Sequence, residues 1–360
     1  MTRRGLVCSL GLVLITILWT SQVCAGVVVL GNQTQATVHF VVIAADAGQS
    51  LHDLRPGQVL PVPTTAEIGV AIIDGPRGPS YRLRPNGIYC FQTKDGKTEL
   101  SRHPLPVMPP SPIAASNVLP ANKPPCMISV KIVVDDKEPT VQRIWEKRYR
   151  QRLSEASEII ERHCQIRLAV VAVAMWRSDS RADKMETLLR EFEREVAPTP
   201  AQLAIGFTGQ YHTLRDDKHM GGTRGAFCPH ILIREWGRQL ADAERLEILV
   251  HELGHYLGAV HSAERQSVMR PDIGDRQSRA RSFQIGFDVE NTLAMCLISE
   301  ELRNRRLQHL AQLSPTTRDQ LRSLYRFLAI TLPDDPAARG FLSLLDRGQT
   351  PRNLPDTSPP

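Results

Sequence analysis

His251 and His255 are four residues apart in the run His-Glu-Leu-Gly-His-Tyr-Leu-Gly-Ala-Val-His at 251–261. On a helix that spacing stacks two imidazoles on one face, one turn above the other, where both can hold a single metal ion. Gly258 is the residue type that takes the left-handed conformation ending a helix, and such a turn returns His261 toward the first two rings. Three neutral nitrogen ligands with one open position describe a catalytic zinc site, whereas a structural site is closed by four protein ligands. Glu252, beside the first ligand, is placed to accept a proton from water in the open position. Five such fixed positions arise by chance in on the order of one in 10⁴–10⁵ chains of this length. A buried helix that merely satisfies three histidines and a carboxylate would be an odd way to build a core.

The eleven-residue run resembles the signature of the metzincin metallopeptidases. Residues 267–271, Ser-Val-Met-Arg-Pro, resemble the methionine turn beneath the metal in that clan, with Met269 as its methionine. Pro271 two positions after Met269, and Ser262 directly after the third histidine, are similar to the matrixin-like branch. Some other branches carry a metal-binding Tyr where Pro271 stands, so no such ligand is expected. The resemblance implies Zn²⁺ on His251, His255 and His261, Glu252 as the catalytic base, support of the site by Met269 and Gly258, and a protein or peptide substrate. It is specific over 240–271 and architectural over 126–310.

The elements that would position these residues are legible from 126 onward. A strand is expected at 128–134, a long amphipathic helix through Val141, Ile144, Trp145, Tyr149, Leu153, Ala156, Ile159 and Ile160, and a strand at 166–176. A helix at 185–196 and strands at 203–208 and 229–233 precede the histidine helix, an order that resembles the upper subdomain of metzincins. The Gly-rich stretch 221–228 reads either as a sheet edge that a peptide could join or as an ordinary loop. A closing helix is expected at 288–303. His212, Asp216, Asp217 and His219 fall in a polar loop that reads either as a site for a second metal or calcium or, more plainly, as a solvated loop, and His230 is unassigned.

Upstream, six short β-rich runs at 27–30, 37–43, 58–62, 68–73, 81–84 and 87–92 predict a small all-β sandwich-like domain over 26–103. A Pro-rich linker follows at 104–125, then the catalytic domain over 126–312, a helical C-terminal extension over 313–346 with helices at 316–332 and 337–345, and a polar, Pro-containing tail at 347–360. The expected class is α+β.

Residues 1–25, with Arg3 and Arg4, an apolar run at 5–19 and the small-residue end Val23-Cys24-Ala25, read as a signal peptide, so a secreted protein without a stable membrane span is expected. Its removal lowers the formal charge from +6 to +4, spread over solvated helix faces, which argues against nucleic acid as a partner. Five cysteines then remain, Cys90, Cys126, Cys164, Cys228 and Cys296, an odd number in a compartment that favours disulfides. Cys126 could cap the zinc in a latent form, but Pro124-Pro125-Cys126-Met127 does not match the matrixin propeptide pattern. The leading expectation is a secreted zinc endopeptidase. A zinc hydrolase of cell-wall peptide amides, and a binding protein with a vestigial zinc site, are the other classes that the motif leaves open.

Overall fold

The structure is a computed structural model that describes residues 26–44, 48–73, 78–105, 124–179, 182, 184–210, 220–235, 240–273, 275–280, 283–305 and 307–347. The expected signal peptide, most of the Pro-rich linker, nearly all of the tail, and His212, Asp216, Asp217 and His219 lie outside these residues.

A five-stranded sheet carries the site. It contains β9 (Cys126–Asp135), β10 (Ile166–Trp176), β11 (Leu203–Thr208), β12 (Gly221–Thr223) and β13 (His230–Arg234), in the order β10-β9-β11-β13-β12. Four strands are parallel and β12 runs antiparallel to β13 at one edge. Strand alternation splits the side chains between two cores. Ile132, Ile205 and Ile231 face α1 (Gln142–Cys164) and α3 (Asp242–Tyr256), while Val133, Ala204 and Leu232 face α2 (Met185–Glu195). With helices on both faces, the inner strands can be apolar throughout, and β11 is buried at every position.

The N-terminal region holds eight strands in two four-stranded sheets. One is ordered β4-β1-β7-β8 and comprises β1 (Gly26–Asn32), β4 (Val59–Thr64), β7 (Gly87–Lys94) and β8 (Lys97–Arg102). The other is ordered β3-β2-β5-β6 and comprises β2 (Val38–Ala44), β3 (Gly48–Leu54), β5 (Ile68–Ile72) and β6 (Ser80–Leu83). Val28, Leu30 and Phe91 from the first meet Phe40, Val42 and Val70 from the second in one buried cluster. The sequence reading of six strands missed β3 and β8. Both are edge strands whose residues, Gly-Gln-Ser-Leu-His-Asp-Leu and Lys-Thr-Glu-Leu-Ser-Arg, are too polar to show a period-two apolar pattern.

The opposite side of β1 is not solvated. Val27, Val29, Ile88 and Cys90 join Val289, Leu293, Ala294 and Leu297 of α4 (Val289–Asn304) in a second cluster. The same cluster takes in Leu321, Leu324, Tyr325 and Leu328 of α5 (Pro315–Thr331), and Phe341, Leu344 and Leu345 of α6 (Ala337–Arg347). Segments 26–103, 126–312 and 313–346 therefore meet around α4. Asp288 caps α4 by accepting the Asn291 N–H at 2.9 Å, and Ser314 caps α5 through Thr317.

Among the described residues Cys90, Cys126, Cys164, Cys228 and Cys296 are free thiols, with no disulfide between them. Cys90, Cys164 and Cys228 are buried, and burial pushes the thiols of Cys90 and Cys296 up to about 12. Cys126 starts β9, where burial pushes its thiol up and the neighbouring charges are Arg303 and Glu300 of α4. Among the described residues no helix is long and apolar enough to cross a membrane.

Candidate metal centre

The histidine helix α3 is buried along most of its length, with Ile248, Leu249, Val250 and Leu253 fully buried, so it runs through the core instead of over the surface. Its first turn lacks a side-chain cap at Ala241; Glu244 reaches back to accept the Ala241 N–H at 2.7 Å and is held in turn by Arg279. The helix ends after Tyr256. Gly258 then adopts φ +89°, and the Ala259 N–H donates back to the Gly254 carbonyl at 2.8 Å. A Cβ at Gly258 would lie 2.2 Å from the Ile298 Cδ1 atom, so glycine is required here both by conformation and by space.

This turn brings His261 to the other two histidines. The three rings lie with centroids 4.6, 4.9 and 5.3 Å apart, and one nitrogen from each lies within 4.8 Å of the others. The Nε2 atoms of His251 and His255 approach to 3.1 Å.

Each ring is aimed by its far nitrogen. The Nδ1–H of His251 donates to the Val268 carbonyl at 2.8 Å, that of His255 to the Ala259 carbonyl at 3.0 Å, and that of His261 to Asp335 Oδ2 at 2.6 Å. Carbonyls and carboxylates only accept, so all three Nδ1 atoms carry the proton. The Nε2 lone pairs are thereby left for a cation. Burial, helped by the neighbouring histidines, pushes the His251 pKa well below its ordinary value and that of His255 down to about 3. Both are neutral at physiological pH, as metal ligands must be. Three nitrogen donors of one tautomer, each backed by an acceptor, fit zinc with one position open.

Glu252 is buried, and Gly221 of β12 packs so closely that a Cβ there would sit 2.7 Å from Glu252 Oε1. Oε2 has no hydrogen-bond partner, and burial raises the carboxyl pKa to about 8. The Gly-rich stretch is thus the edge strand β12 over 221–223, not a loop there, and it passes directly over the candidate base.

Beneath the site, Ser262 and Met269 are joined by a backbone hydrogen bond from Ser262 N–H to the Met269 carbonyl at 2.9 Å. Met269 is fully buried, its sulfur facing Gly254 on α3. Ser267 Oγ accepts the Met269 N–H at 3.0 Å and donates to Asp288 Oδ2 at 2.6 Å, while Arg270 bridges Glu247 of α3 and Asp275, each at 2.7 Å.

His230 does not join the site. Its ring lies edge-on to Phe192, with Nε2 2.7 Å from the Val196 carbonyl. Asp335 and Tyr325 were missed by sequence reasoning. Both come from beyond residue 313, Tyr325 donating its hydroxyl proton to the Gly258 carbonyl at 2.6 Å, and neither carries a local motif. Burial pushes the Asp335 carboxyl up, but the hydrogen bond and charge of His261 outweigh it and leave it below the ordinary carboxylate range.

Residues 172–288 match the family model of matrixin, which supports a zinc metallopeptidase and agrees with the metzincin resemblance of the histidine run. A search of curated proteins gave no match. Among solved structures, a chain from a chaperone–substrate complex is similar at 11% identity and TM-score 0.35, over 77% of this chain and 47% of its own length. The archaemetzincin of Archaeoglobus fulgidus, complexed with malonate, is similar at 15% identity and TM-score 0.34, over 46% of this chain and 99% of its own. The archaemetzincin of Methanopyrus kandleri is similar at 14% identity and TM-score 0.30, over 50% of this chain and 94% of its own.

Proposed function

We propose that this chain is a secreted zinc endopeptidase of matrixin-like type, with His251, His255 and His261 as ligands and Glu252 as general base and acid. The observation that carries the reading is the convergence of three imidazoles, each donating from Nδ1 to a fixed acceptor, on the helix that carries a buried glutamate with a free oxygen. Bound zinc supplies a Lewis acid for the scissile carbonyl, a water whose pKa falls from 15.7 to about 7, and a positive charge that favours ionised Glu252.

The chain's own groups do the rest. Val268, Ala259 and Asp335 hold the three rings in one tautomer. Burial pushes the Glu252 carboxyl up to about 8 in the metal-free chain, which strengthens it as a proton acceptor. Glu252 Oε2 accepts the proton of the attacking water and delivers it to the leaving amine. Strand β12, with its glycines at the edge of the sheet, offers backbone groups to an extended peptide lying beside Glu252. Residues 1–25 support export by their signal-peptide composition.

Replacing Glu252 with Ala tests the reading. The variant should retain one zinc per chain and lose roughly 10²–10⁴-fold in peptide turnover, the usual share of a general acid–base group. Cleavage of a peptide mixture at the parent rate would refute the role of Glu252. Parallel assays on casein-like protein and on purified wall material separate an endopeptidase from a cell-wall amidase.

A further inference from the structure

We propose that Asp335, in the loop between α5 and α6, is a positioning residue for the third metal ligand, so that the C-terminal helices complete the metal centre. This rests on the zinc-peptidase reading and adds a residue that the histidine motif does not contain.

The three rings are anchored unequally. His255 and His251 donate to backbone carbonyls 4 and 17 residues away, supplied by the α3 turn and the methionine turn. His261 donates to a side chain 74 residues away. Both members of that pair are nearly sealed from water, with side-chain exposures of 10% for His261 and 9% for Asp335. A carboxylate is also a different kind of acceptor from a carbonyl. Its charge raises the basicity of the imidazole and strengthens the hold of the opposite nitrogen on a cation.

Asp335 is itself held from behind. Its Oδ1 accepts the Ala337 N–H at 2.8 Å at the start of α6, which leaves Oδ2 to serve His261. The helices on either side are fastened to the same turn. Tyr325 of α5 bonds the Gly258 carbonyl, and Phe341 of α6 packs with Tyr325, Phe227 and Val260 in one buried cluster. Asn291 of α4 adds a pair of hydrogen bonds to Val260, each 2.9 Å, on the residue preceding His261. The chain from Gly258 to His261 is therefore gripped by three helices that follow it in sequence, and Asp335 makes the contact that reaches a ligand.

The test is zinc affinity of the full-length chain, read by competition with a chromophoric chelator, for wild type, Asp335→Asn and Asp335→Glu. Asparagine keeps the size but offers one acceptor oxygen and one amide, so it can satisfy Ala337 or His261 and not both. The expected result is a 10–100-fold larger zinc dissociation constant for Asp335→Asn, partial recovery in Asp335→Glu, and a metal-free Asp335→Asn that still unfolds cooperatively. Wild-type affinity in a folded, metal-competent Asp335→Asn would overturn the proposal while leaving the peptidase reading intact. Failure of the wild-type chain itself to bind one zinc would instead sink the peptidase reading. Should Asp335→Asn be recovered unfolded, the Co²⁺-loaded wild type decides: three slowly exchanging, paramagnetically shifted imidazole N–H signals are expected, and only two would refute a shielded His261–Asp335 bond.

Discussion

The Val268 carbonyl accepts the Nδ1–H of His251 at 2.8 Å, so the methionine turn aims the first histidine directly through its backbone. The side chain that follows, Met269, packs its sulfur against Gly254 between His251 and His255. The turn thus acts on the site twice, once by a hydrogen bond and once by filling the space under the helix.

From this packing, Met269→Ala should cost about 2–5 kcal/mol of stability, the usual range for emptying a fully buried methionine site. Met269→Leu, close in volume, should cost less than about 1.5 kcal/mol and keep the zinc. Denaturant unfolding of both variants, with zinc content measured alongside, checks the pair. Equal stability for the alanine and leucine variants would contradict a packing role.

Gly258→Ala should be more damaging than its size suggests. The added methyl would meet Ile298 Cδ1 at 2.2 Å, on a backbone at φ +89° that disfavours any side chain. A cost of about 1–3 kcal/mol is expected from the conformation alone, with the clash adding to it. Because the same turn carries the chain to His261, zinc affinity should fall together with stability. Chelator competition and thermal unfolding on the one variant would reveal whether the two move together.

The metal ligands could be read from the sequence because they are local: two sit one helical turn apart and the third follows a single glycine turn. The strands β9, β10, β11 and β13 were legible for the same reason, since each is a short stretch rich in Val, Ile, Leu and Ala, interrupted only by Ser129 and Lys131 in β9 and Arg167 in β10. What was missed is non-local. Edge strands β3 and β8 owe their structure to pairing with β2 and β7 rather than to an apolar pattern of their own. Asp335 sits in Leu-Pro-Asp-Asp-Pro, which reads only as a turn, and its partner lies 74 residues earlier. The packing of β1 on α4 likewise depends on an outward face of small and medium residues, Val27 and Val29, that a solvated strand could also carry.

A buried histidine outside the site sets a pH dependence. The Phe287 N–H donates to His163 Nε2 at 3.4 Å, and His163 Nδ1 faces Thr292 Oγ1 at 3.0 Å, an arrangement that only the neutral ring satisfies. Burial pushes its pKa from the ordinary 6.5 down to about 3. Below pH 6.5 the unfolded chain binds a proton that the folded chain refuses, so the contribution is fully present above 6.5 and drains away as pH falls toward 3. Denaturant unfolding of metal-free wild type and His163→Gln across this window should show the wild type losing stability more steeply with acid. The other titrating groups, His251 and His255 included, contribute alike to both curves and cancel in the difference. Parallel curves would mean that His163 is not held neutral by the fold.

The last prediction concerns the strand above Glu252. At Gly221 a methyl group would lie 2.7 Å from Glu252 Oε1 and 2.8 Å from its Cγ, with Glu252 buried and short of room to withdraw. At the adjacent Gly222 the same methyl would meet only Leu189 Cδ2, at an ordinary 3.5 Å. Neither glycine has a positive φ, so the backbone tolerates alanine at both and the comparison isolates the contact with the carboxylate. Gly221→Ala should therefore keep its zinc and most of its stability while losing on the order of 10²-fold in kcat, the scale of a catalytic group displaced by about 1 Å. Gly222→Ala should stay within a few-fold of the parent. Peptide turnover measured on both variants at matched zinc content discriminates: equal activities would show that Glu252 has no need of the space that Gly221 leaves, and a loss confined to Gly221→Ala would tie the edge strand to the proton-transfer step.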